Sequence, residues 1–338
     1  EEIQAITDVL SSGQIAQGKK IEEFETKFAN FIGSKFAIAV SSGTAALHLA
    51  LLGLGIWTGD EVILPSYVCA SPYLAILYSG ATPRIANISP LDYNICVDTA
   101  KKEMTSKTRA IIVPHMFGLP AEIQELCNLG LPIIEDCAQS LGAEYGGKRV
   151  GNFGQVSMFS FYATKMITTG EGGMILTDSR DIYHKILALR DYDKKSPHFL
   201  RFNYKMTDFQ AALGITQLKR LNAFIRRRRE IASFYTDQFS RFNIKLPESS
   251  SRRKSVFYRY VIELRHKSKV QRESKQKGVM CENPVWKPLH KSLAAMARFP
   301  SSDYAYRHAL SVPIYPVLSE KGIAYVARTL CFLFKKYS

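Results

Sequence analysis

The sequence contains no stretch that could cross a membrane as a helix. Its most apolar segment, residues 45–57, includes His48 and falls short of the roughly 20 apolar residues that a bilayer requires. Residues 1–17 also lack the basic start and apolar core of a secretory signal. We therefore expect no membrane insertion and a cytoplasmic location.

Paired cysteines are missing as well. The sequence has six cysteines, which lie far apart and show no C-x-x-C spacing: Cys69, Cys96, Cys127, Cys137, Cys281 and Cys331. This distribution argues against a zinc site and against a dense disulfide scaffold. We expect reduced thiols, mostly buried, and no metal.

Acidic residues are too few to balance the basic ones. Lys and Arg total 45 against 30 Asp and Glu, which gives a formal net charge of +15. Such an excess favours anionic partners, among them phosphates, nucleotides, nucleic acid and acidic lipids. Charge alone does not choose among these classes.

Two basic segments, residues 226–229 and 252–254, raise the alternative of a regulatory protein that binds nucleic acid. Consecutive arginines on a helix point in several directions, so they form a solvated face more readily than a reading surface. No zinc-finger, helix-turn-helix or stacking-aromatic pattern accompanies them. We expect no nucleic-acid partner.

What the sequence does contain, between residues 36 and 177, is an alternation of short β-branched runs with amphipathic stretches. This pattern predicts an α/β fold with a mainly parallel central sheet covered by helices. Ligands of such sheets bind beyond the carboxyl ends of the strands, where most of these runs are followed by small or polar residues. The predicted strands are 37–40, 61–64, 82–86, 110–114, 133–135, 156–160 and 173–176.

The pattern becomes helical after residue 181. Residues 206–239 predict a long helix capped by Thr207 or Asp208, and residues 246–254 form a linker rich in Ser, Pro, Arg and Lys. A strand at 255–264 and a closing helix at 318–334 follow. We therefore divide the chain into a large domain, residues 1–245, and a smaller C-terminal α+β domain, residues 246–338.

Residues 41–45, Ser-Ser-Gly-Thr-Ala, lie between a predicted strand and an apolar helix. Their backbone N–H groups and hydroxyls would converge on the positive end of that helix, which suits one phosphate. A plain helix cap with a turn glycine explains the segment about as well. It lacks the glycine patterns of nucleotide-triphosphate loops and dinucleotide sites.

Two further residues could carry chemistry. Asp136 follows an apolar strand, where a carboxylate can pair with the protonated nitrogen of a pyridine cofactor, although a helix cap is the commoner role. Lys165 stands among aromatic and small residues rather than among charges, which suits an amine that reacts with a carbonyl group. An isolated lysine is more often simply a solvated residue.

The order and spacing of residues 41–45, Asp136 and Lys165 resemble those of proteins with the aspartate-aminotransferase-like fold. This fold is fold type I of the enzymes that use pyridoxal phosphate. The chain as a whole resembles the sugar aminotransferases of the DegT/DnrJ/EryC1/StrS family. The matching segments are residues 12–18, SGTAALHLAL (42–51), GDEVI (59–63), EDCAQS (135–140), FYATK (161–165) and MTDFQAALG (206–214).

The resemblance implies pyridoxal 5′-phosphate as cofactor, with pyridoxamine 5′-phosphate as its aminated form. Lys165 would hold the cofactor covalently and then carry the proton between substrate carbon and cofactor. Asp136 would pair with the pyridine nitrogen, and Gln139 would lie near the phenolic oxygen. The residues that match phosphate ligands are Gly43, Thr44 and Ser160, and Ala45 would also belong to the cofactor-binding residues.

One position departs from the family pattern. Relatives stack an aromatic ring on the cofactor where this chain has Cys69, so either the thiol packs there or Tyr67 reaches over. His115 and His290 match segments that border the active site, and a structural role is the better expectation for both.

The resemblance also implies a reaction. An amino-acid donor, glutamate in most relatives, would give its amino group to a nucleotide-linked keto sugar for surface polysaccharide, lipopolysaccharide or secondary-metabolite synthesis. Asn203 or Lys205 would reach the cofactor phosphate of a second subunit, so we expect a homodimer with shared sites. Two alternatives remain: a sugar dehydratase of the same family, in which histidine replaces the lysine, and a binding protein that has lost catalysis.

Overall fold

The computed structural model describes residues 1–193, 198–248, 250–293 and 299–337. The strands in these residues are β1 (Phe36–Val40), β2 (Glu61–Pro65), β3 (Thr82–Ala86), β4 (Thr108–Pro114), β5 (Ile133–Asp136), β6 (Glu144–Tyr145), β7 (Lys148–Arg149), β8 (Val156–Ser160), β9 (Gly173–Thr177), β10 (Arg253–Lys254), β11 (Tyr260–Glu263) and β12 (Ala309–Val312). The α-helices are α1 (Glu2–Ser12), α2 (Lys19–Ile32), α3 (Gly43–Gly53), α4 (Ala70–Tyr78), α5 (Val97–Lys101), α6 (Ile123–Cys127), α7 (Arg180–Arg190), α8 (Asp208–Phe239), α9 (Lys267–Gln276), α10 (Leu289–Ser292), α11 (Pro300–His308) and α12 (Glu320–Lys336).

The central sheet has seven strands in the order β1-β9-β8-β5-β4-β2-β3. The pairs from β8 to β3 are parallel, whereas β9 runs antiparallel to both β1 and β8. The mainly parallel sheet is therefore confirmed, and all seven predicted strands are present with ends that differ by at most two residues. No helix in the described ranges is long and apolar enough to span a bilayer.

Helices cover both faces of this sheet because its strands are apolar on both sides. On one face Leu49 of α3 belongs to the same continuous core as Ile38 and Ile112 of the sheet. On the other face, Phe28 of α2 meets Phe159 of β8 with ring centroids 5.0 Å apart. The sheet is thus buried on both faces, which leaves its carboxyl edge as the place for polar side chains.

The helix α8 links the sheet to the C-terminal part of the chain, by which we mean the described residues after 245. Its capping box joins Thr207 and Gln210, so the predicted cap is confirmed. Its first turns pack on α1 and α2, and its last turns pack on α12. The proposed boundary between two domains at residue 245 stays a prediction.

Two predictions for the C-terminal part differ from the structure. The strand expected at 255–264 is only β11, because the preceding residues dock on a turn of the large sheet instead, where Arg259 N–H donates to the Phe117 carbonyl. The expected linker ends in β10, which pairs with β6. There Arg253 is buried and forms ion pairs with Asp92, Glu122 and Glu248.

The arginine run 226–229 is not the solvated face that its sequence suggested. Arg228 is buried, and burial lowers the pKa of its guanidinium to about 10. Its Nη1 donates to the carbonyl oxygens of Phe257, Tyr258 and Ile314 at 2.9–3.2 Å. Of the four arginines, Arg226 is the exposed one. The run therefore ties α8 to the C-terminal part.

We expect Arg228→Met to lower the free energy of unfolding by about 1–3 kcal/mol, because three buried carbonyl oxygens lose their donor. Urea unfolding measures the effect. Arg226→Met is the matched control and should change stability by less than about 0.5 kcal/mol. Equal effects of the two substitutions would show that Arg228 does not join the two parts.

Candidate active site

The N-terminus of α3 lies against the carboxyl end of β8. The Ser42 hydroxyl caps the helix by accepting the Ala45 N–H at 3.1 Å, so that amide is already engaged. A Cβ on Gly43 would lie 2.9 Å from Cβ of Ser160, which makes glycine necessary for this close approach. The start of the helix, with Thr44 next to Gly43, forms a positive cradle that suits one phosphate group.

Asp136 ends β5 in the middle of the sheet and is only 7% exposed. Burial raises the pKa of this carboxyl group. A hydrogen bond from the Ala138 N–H at 3.0 Å and the charge of Lys165 lower it, but they do not offset the burial. The site therefore holds a carboxylate that a nearby cation would stabilise further.

Lys165 stands on a tight turn just beyond β8. Its backbone N–H donates to the Tyr162 carbonyl at 2.9 Å, and the Thr169 N–H closes the same loop on Phe161 at 3.0 Å. The half-buried side chain points its amine at an aromatic ring, with Nζ 5.3 Å from the centroid of Tyr258. The lysine thus faces the cleft from a fixed turn.

Cys69, which precedes α4, also borders this space. Its side chain is open to solvent, yet protein surrounds it densely, so desolvation raises the pKa of the thiol. The charge of Asp136 adds to that rise and the charge of Lys165 opposes it, which places the thiol close to both. Tyr67, by contrast, is fully buried next to Tyr93. Of the two candidates, Cys69 is exposed and Tyr67 is enclosed by protein, so which of them covers the cofactor ring stays a prediction.

Gln139 and His115 shape the turn that follows β4. The Gln139 side-chain oxygen accepts the Phe117 N–H at 3.0 Å. His115 is fully buried, its Nδ1 accepts the Ala121 N–H at 3.1 Å, and its Nε2 donates to Glu135 at 3.1 Å. Both ring nitrogens are used within the protein, which favours a structural role for this histidine.

His290 joins the C-terminal part to the segment after β2. Its Nδ1 is hydrogen-bonded to the Ser66 hydroxyl, and its Nε2 lies 3.3 Å from a carboxylate oxygen of Asp303. The ring also stacks on Phe299 at 4.8 Å. Burial lowers the pKa of His290 although Asp303 raises it. These contacts again favour a structural role.

Asn203 and Lys205 lie beside the end of β1. The chain is held there by a bridge between Val40 and Lys205. Lys205 Nζ donates to Asp191 at 2.6 Å and to Asp193 at 2.8 Å, so carboxylates of its own chain already engage it. The Asn203 side chain is exposed. Of the two residues, Asn203 is therefore the one whose side chain is exposed to solvent.

Two residues that no sequence motif marks share a cleft with Lys165. A cleft of about 940 Å³ opens beside the lysine, between its turn, α8 and the C-terminal part, and Tyr258 and Arg259 line it. Arg259 Nη1 donates to the Ser311 hydroxyl at 3.4 Å. Neither residue belongs to a recognisable motif, so only the folded chain reveals them.

Comparison with known proteins agrees with this geometry. Residues 1–331 match the model of the DegT/DnrJ/EryC1/StrS aminotransferase family. The chain belongs to this family. GDP-perosamine synthase of Vibrio cholerae is 34% identical over 98% of this chain and 95% of its own. The structure of DesV from S. venezuelae, solved with a ketimine intermediate, superposes with a TM-score of 0.95 at 30% identity, over 99% of this chain and 94% of that one.

A third relative bears on the cofactor. The structure of Spr1654 from Streptococcus pneumoniae in its PMP form has a TM-score of 0.92 at 25% identity, over 99% of this chain and 95% of that chain. The cofactor of this aminotransferase is pyridoxal 5′-phosphate, with pyridoxamine 5′-phosphate as its aminated form. The aspartate-aminotransferase-like fold is likewise confirmed.

The raised pKa of Asp136 has a consequence for stability. In the unfolded chain this carboxyl loses its proton at a lower pH than in the folded chain, so stability decreases as pH rises between those two values. We therefore expect Asp136→Asn to increase the free energy of unfolding of the cofactor-free protein at pH 7, since the amide can still accept the Ala138 N–H.

The gain in the free energy of unfolding of Asp136→Asn over the parent should shrink as the pH falls toward the ordinary pKa range of a carboxyl group. Urea unfolding at several pH values measures this change. Asp181→Asn, on the first turn of α7, is the control. A variant Asp136→Asn that is less stable than the parent at pH 7 would contradict the claim that burial dominates at this carboxylate.

Proposed function

We propose that this aminotransferase moves the amino group of glutamate to a keto sugar linked to a nucleotide. The observation that carries the proposal is the convergence of a phosphate cradle, the buried Asp136 and the amine of Lys165 on one space at the sheet edge. The product would enter surface polysaccharide, lipopolysaccharide or secondary-metabolite synthesis. A GDP-sugar enzyme and a spore coat polysaccharide protein among the relatives support that assignment.

The residues present fit pyridoxal phosphate. The N-terminus of α3 offers the positive sign that its phosphate needs, and the close approach of Gly43 to Ser160 brings the Ser160 hydroxyl beside Thr44 at this helix start. Asp136 offers the buried anion that a protonated pyridine nitrogen needs. Lys165 offers an amine at the edge of the cleft for covalent attachment.

When bound, the cofactor supplies an electron-poor ring that stabilises negative charge on the substrate carbon. Asp136 would keep the ring nitrogen protonated. Lys165 Nζ would take the proton from the donor carbon and return one to the sugar carbon. Gln139, whose oxygen is held by a backbone N–H, would present its amide nitrogen to the phenolic oxygen. Cys69 would cover one face of the ring with a small side chain.

The cleft beside Lys165 suits the sugar nucleotide. Its volume of about 940 Å³ exceeds the need of the amino-acid donor alone. Arg259 could bind the pyrophosphate, because its hydrogen bond to Ser311 leaves most of its donors for a ligand. Tyr315 and Tyr325 on the same wall are about half exposed and offer aromatic faces to a base.

The retained lysine favours transamination over the dehydratase alternative, in which histidine takes that place. The nucleic-acid alternative loses its support, since residues 227–229 of the arginine run bind to their own chain. Six free thiols, from Cys69 to Cys331, suit the reducing environment of the cytoplasm, where we place the enzyme.

We also propose a homodimer with shared active sites. The exposed Asn203 would reach the phosphate of the partner's cofactor, while Lys205 would hold the segment in place through its two carboxylate partners. Phe199 and Leu200 just before it are 71% and 54% exposed, which is unusual for large apolar side chains and suits an interface.

We expect Lys165→Ala to abolish both the visible absorbance of the bound cofactor and all amino transfer, because the attachment point and the proton carrier are lost together. Lys165→Arg should be as inactive, which would show that charge alone does not suffice. Lys107→Ala, at an exposed lysine outside the site, is the control. Amino transfer by Lys165→Ala near the parent rate would refute the proposed role.

Shared sites can be tested with two inactive variants, Lys165→Ala and Asn203→Asp, the second of which places a negative charge against the phosphate. In a mixed dimer one site carries both lesions and the other carries neither. Activity should therefore return to about half of the sites in the purified heterodimer.

The matched control pairs Lys165→Ala with Asp136→Asn, which lie in the same site of one chain. That heterodimer has one lesion in each site and should stay inactive. If the Asn203→Asp pair also stays inactive, or if an isolated monomer turns over normally, the sites are not shared. The role of Lys165 would stand in either case.

A further inference from the structure

Tyr258 touches both the amine of Lys165 and the turn that carries it. Lys165 Nζ lies 5.3 Å from the centroid of the tyrosine ring, within the range in which an aromatic face attracts a cation. The Tyr258 hydroxyl lies 3.3 Å from the hydroxyl of Thr164, the residue before the lysine. One side chain from the C-terminal part thus contacts the site at two points.

Main-chain contacts hold Tyr258 in this position. Arg228 Nη1 donates to the Tyr258 carbonyl at 3.2 Å. The next residue, Arg259, donates its N–H to the Phe117 carbonyl at 3.3 Å. A Cβ on Gly118 would lie 2.9 Å from the Tyr258 nitrogen, so the segment is seated directly on that turn of the large sheet. The ring is presented by a rigid support.

Tyr260, two residues further along the chain, differs from Tyr258 in its surroundings and in the direction of its pKa shift. Tyr260 is fully buried and pairs its hydroxyl with Thr236 at 2.9 Å, and burial raises its pKa to about 12. Burial also raises the pKa of Tyr258, but the charge of Lys165, the bond to Thr164 and two nearby arginines together bring it below the ordinary value. The lysine is therefore electrostatically coupled to Tyr258.

We infer that Tyr258 is a positioning residue for Lys165, whose amine it holds with its ring and whose turn it holds through Thr164. The inference rests on the proposed role of Lys165 as the residue that binds the cofactor. Because Tyr258 belongs to the C-terminal part, the seating of that part on the sheet also determines how the lysine is presented to the cleft.

The first test uses the cofactor-free protein. An amine-reactive reagent labels accessible lysines, and mass spectrometry follows the rate at Lys165. We expect the reagent to label Lys165 about 2- to 30-fold faster in Tyr258→Leu than in the parent. This range corresponds to the loss of a cation–π contact. Tyr258→Phe keeps the ring and should stay within about threefold of the parent. Tyr260→Phe is the matched control and should leave the rate unchanged.

The second test measures how fast the cofactor is captured after pyridoxal phosphate is mixed with the cofactor-free protein. The visible band should appear more slowly in Tyr258→Leu than in the parent, because the amine, although freer to react with a small reagent, is no longer held where the cofactor binds. Tyr258→Phe should recover most of the rate. In steady state, kcat should fall more than the KM for glutamate rises, because the lysine and not the donor site is displaced.

Leucine at position 258 could also disturb the packing of the segment. A second variant therefore keeps an aromatic ring of similar shape and changes only its charge distribution. Tyr258→pentafluorophenylalanine keeps the ring but removes its electron-rich face, and it should behave like Tyr258→Leu rather than like Tyr258→Phe. The inference is overturned if Tyr258→Phe and Tyr258→pentafluorophenylalanine show the same rates of Lys165 labelling and of cofactor capture. It is also overturned if folded Tyr258→Leu matches the parent in both rates. A parent protein that never develops the visible band would instead refute the proposed function, while the labelling comparison would still decide the inference.

Discussion

The Asp136 carboxylate is held nearly out of water at the end of a central strand, and this buried charge governs the site around it. Burial makes the ionised form costly, as the raised pKa of the group indicates, unless a cation lies opposite. The sheet order places β8 next to β5, so the lysine turn after β8 opens on the same edge. The positive start of α3 meets that edge as well. A zwitterionic ligand with a phosphate at one end and a ring cation at the other matches this distribution of charge.

The features that the sequence predicts well are those encoded locally. Short apolar runs between small or polar residues mark the seven strands, and the Thr207 cap marks the start of α8, because each signal lies within a few residues. Residues 41–45, Asp136 and Lys165 each follow a predicted strand, and the resemblance to the family assigns their roles. Their meeting at one edge then follows from the parallel sheet.

What the sequence did not reveal depends on contacts between distant residues. The strand expected at 255–264 is shortened because its first residues bind the turn at Phe117, more than a hundred positions earlier. The sequence of the arginine run predicts a solvated face. The fold instead buries Arg228 among three carbonyl oxygens that are distant in the sequence. Tyr258 carries no motif, and its importance lies wholly in facing Lys165. In each case the partner is supplied by the other part of the chain.

The attachment of the cofactor to Lys165 can be measured directly. Borohydride reduction of the purified protein with its cofactor would fix any covalent attachment, and peptide mapping by mass spectrometry would identify the modified residue. We expect the phosphopyridoxyl group on Nζ of Lys165 and on no other lysine of the chain. A stable group on a different lysine, or tightly bound cofactor that reduction fixes to no lysine at all, would contradict the assignment of this site.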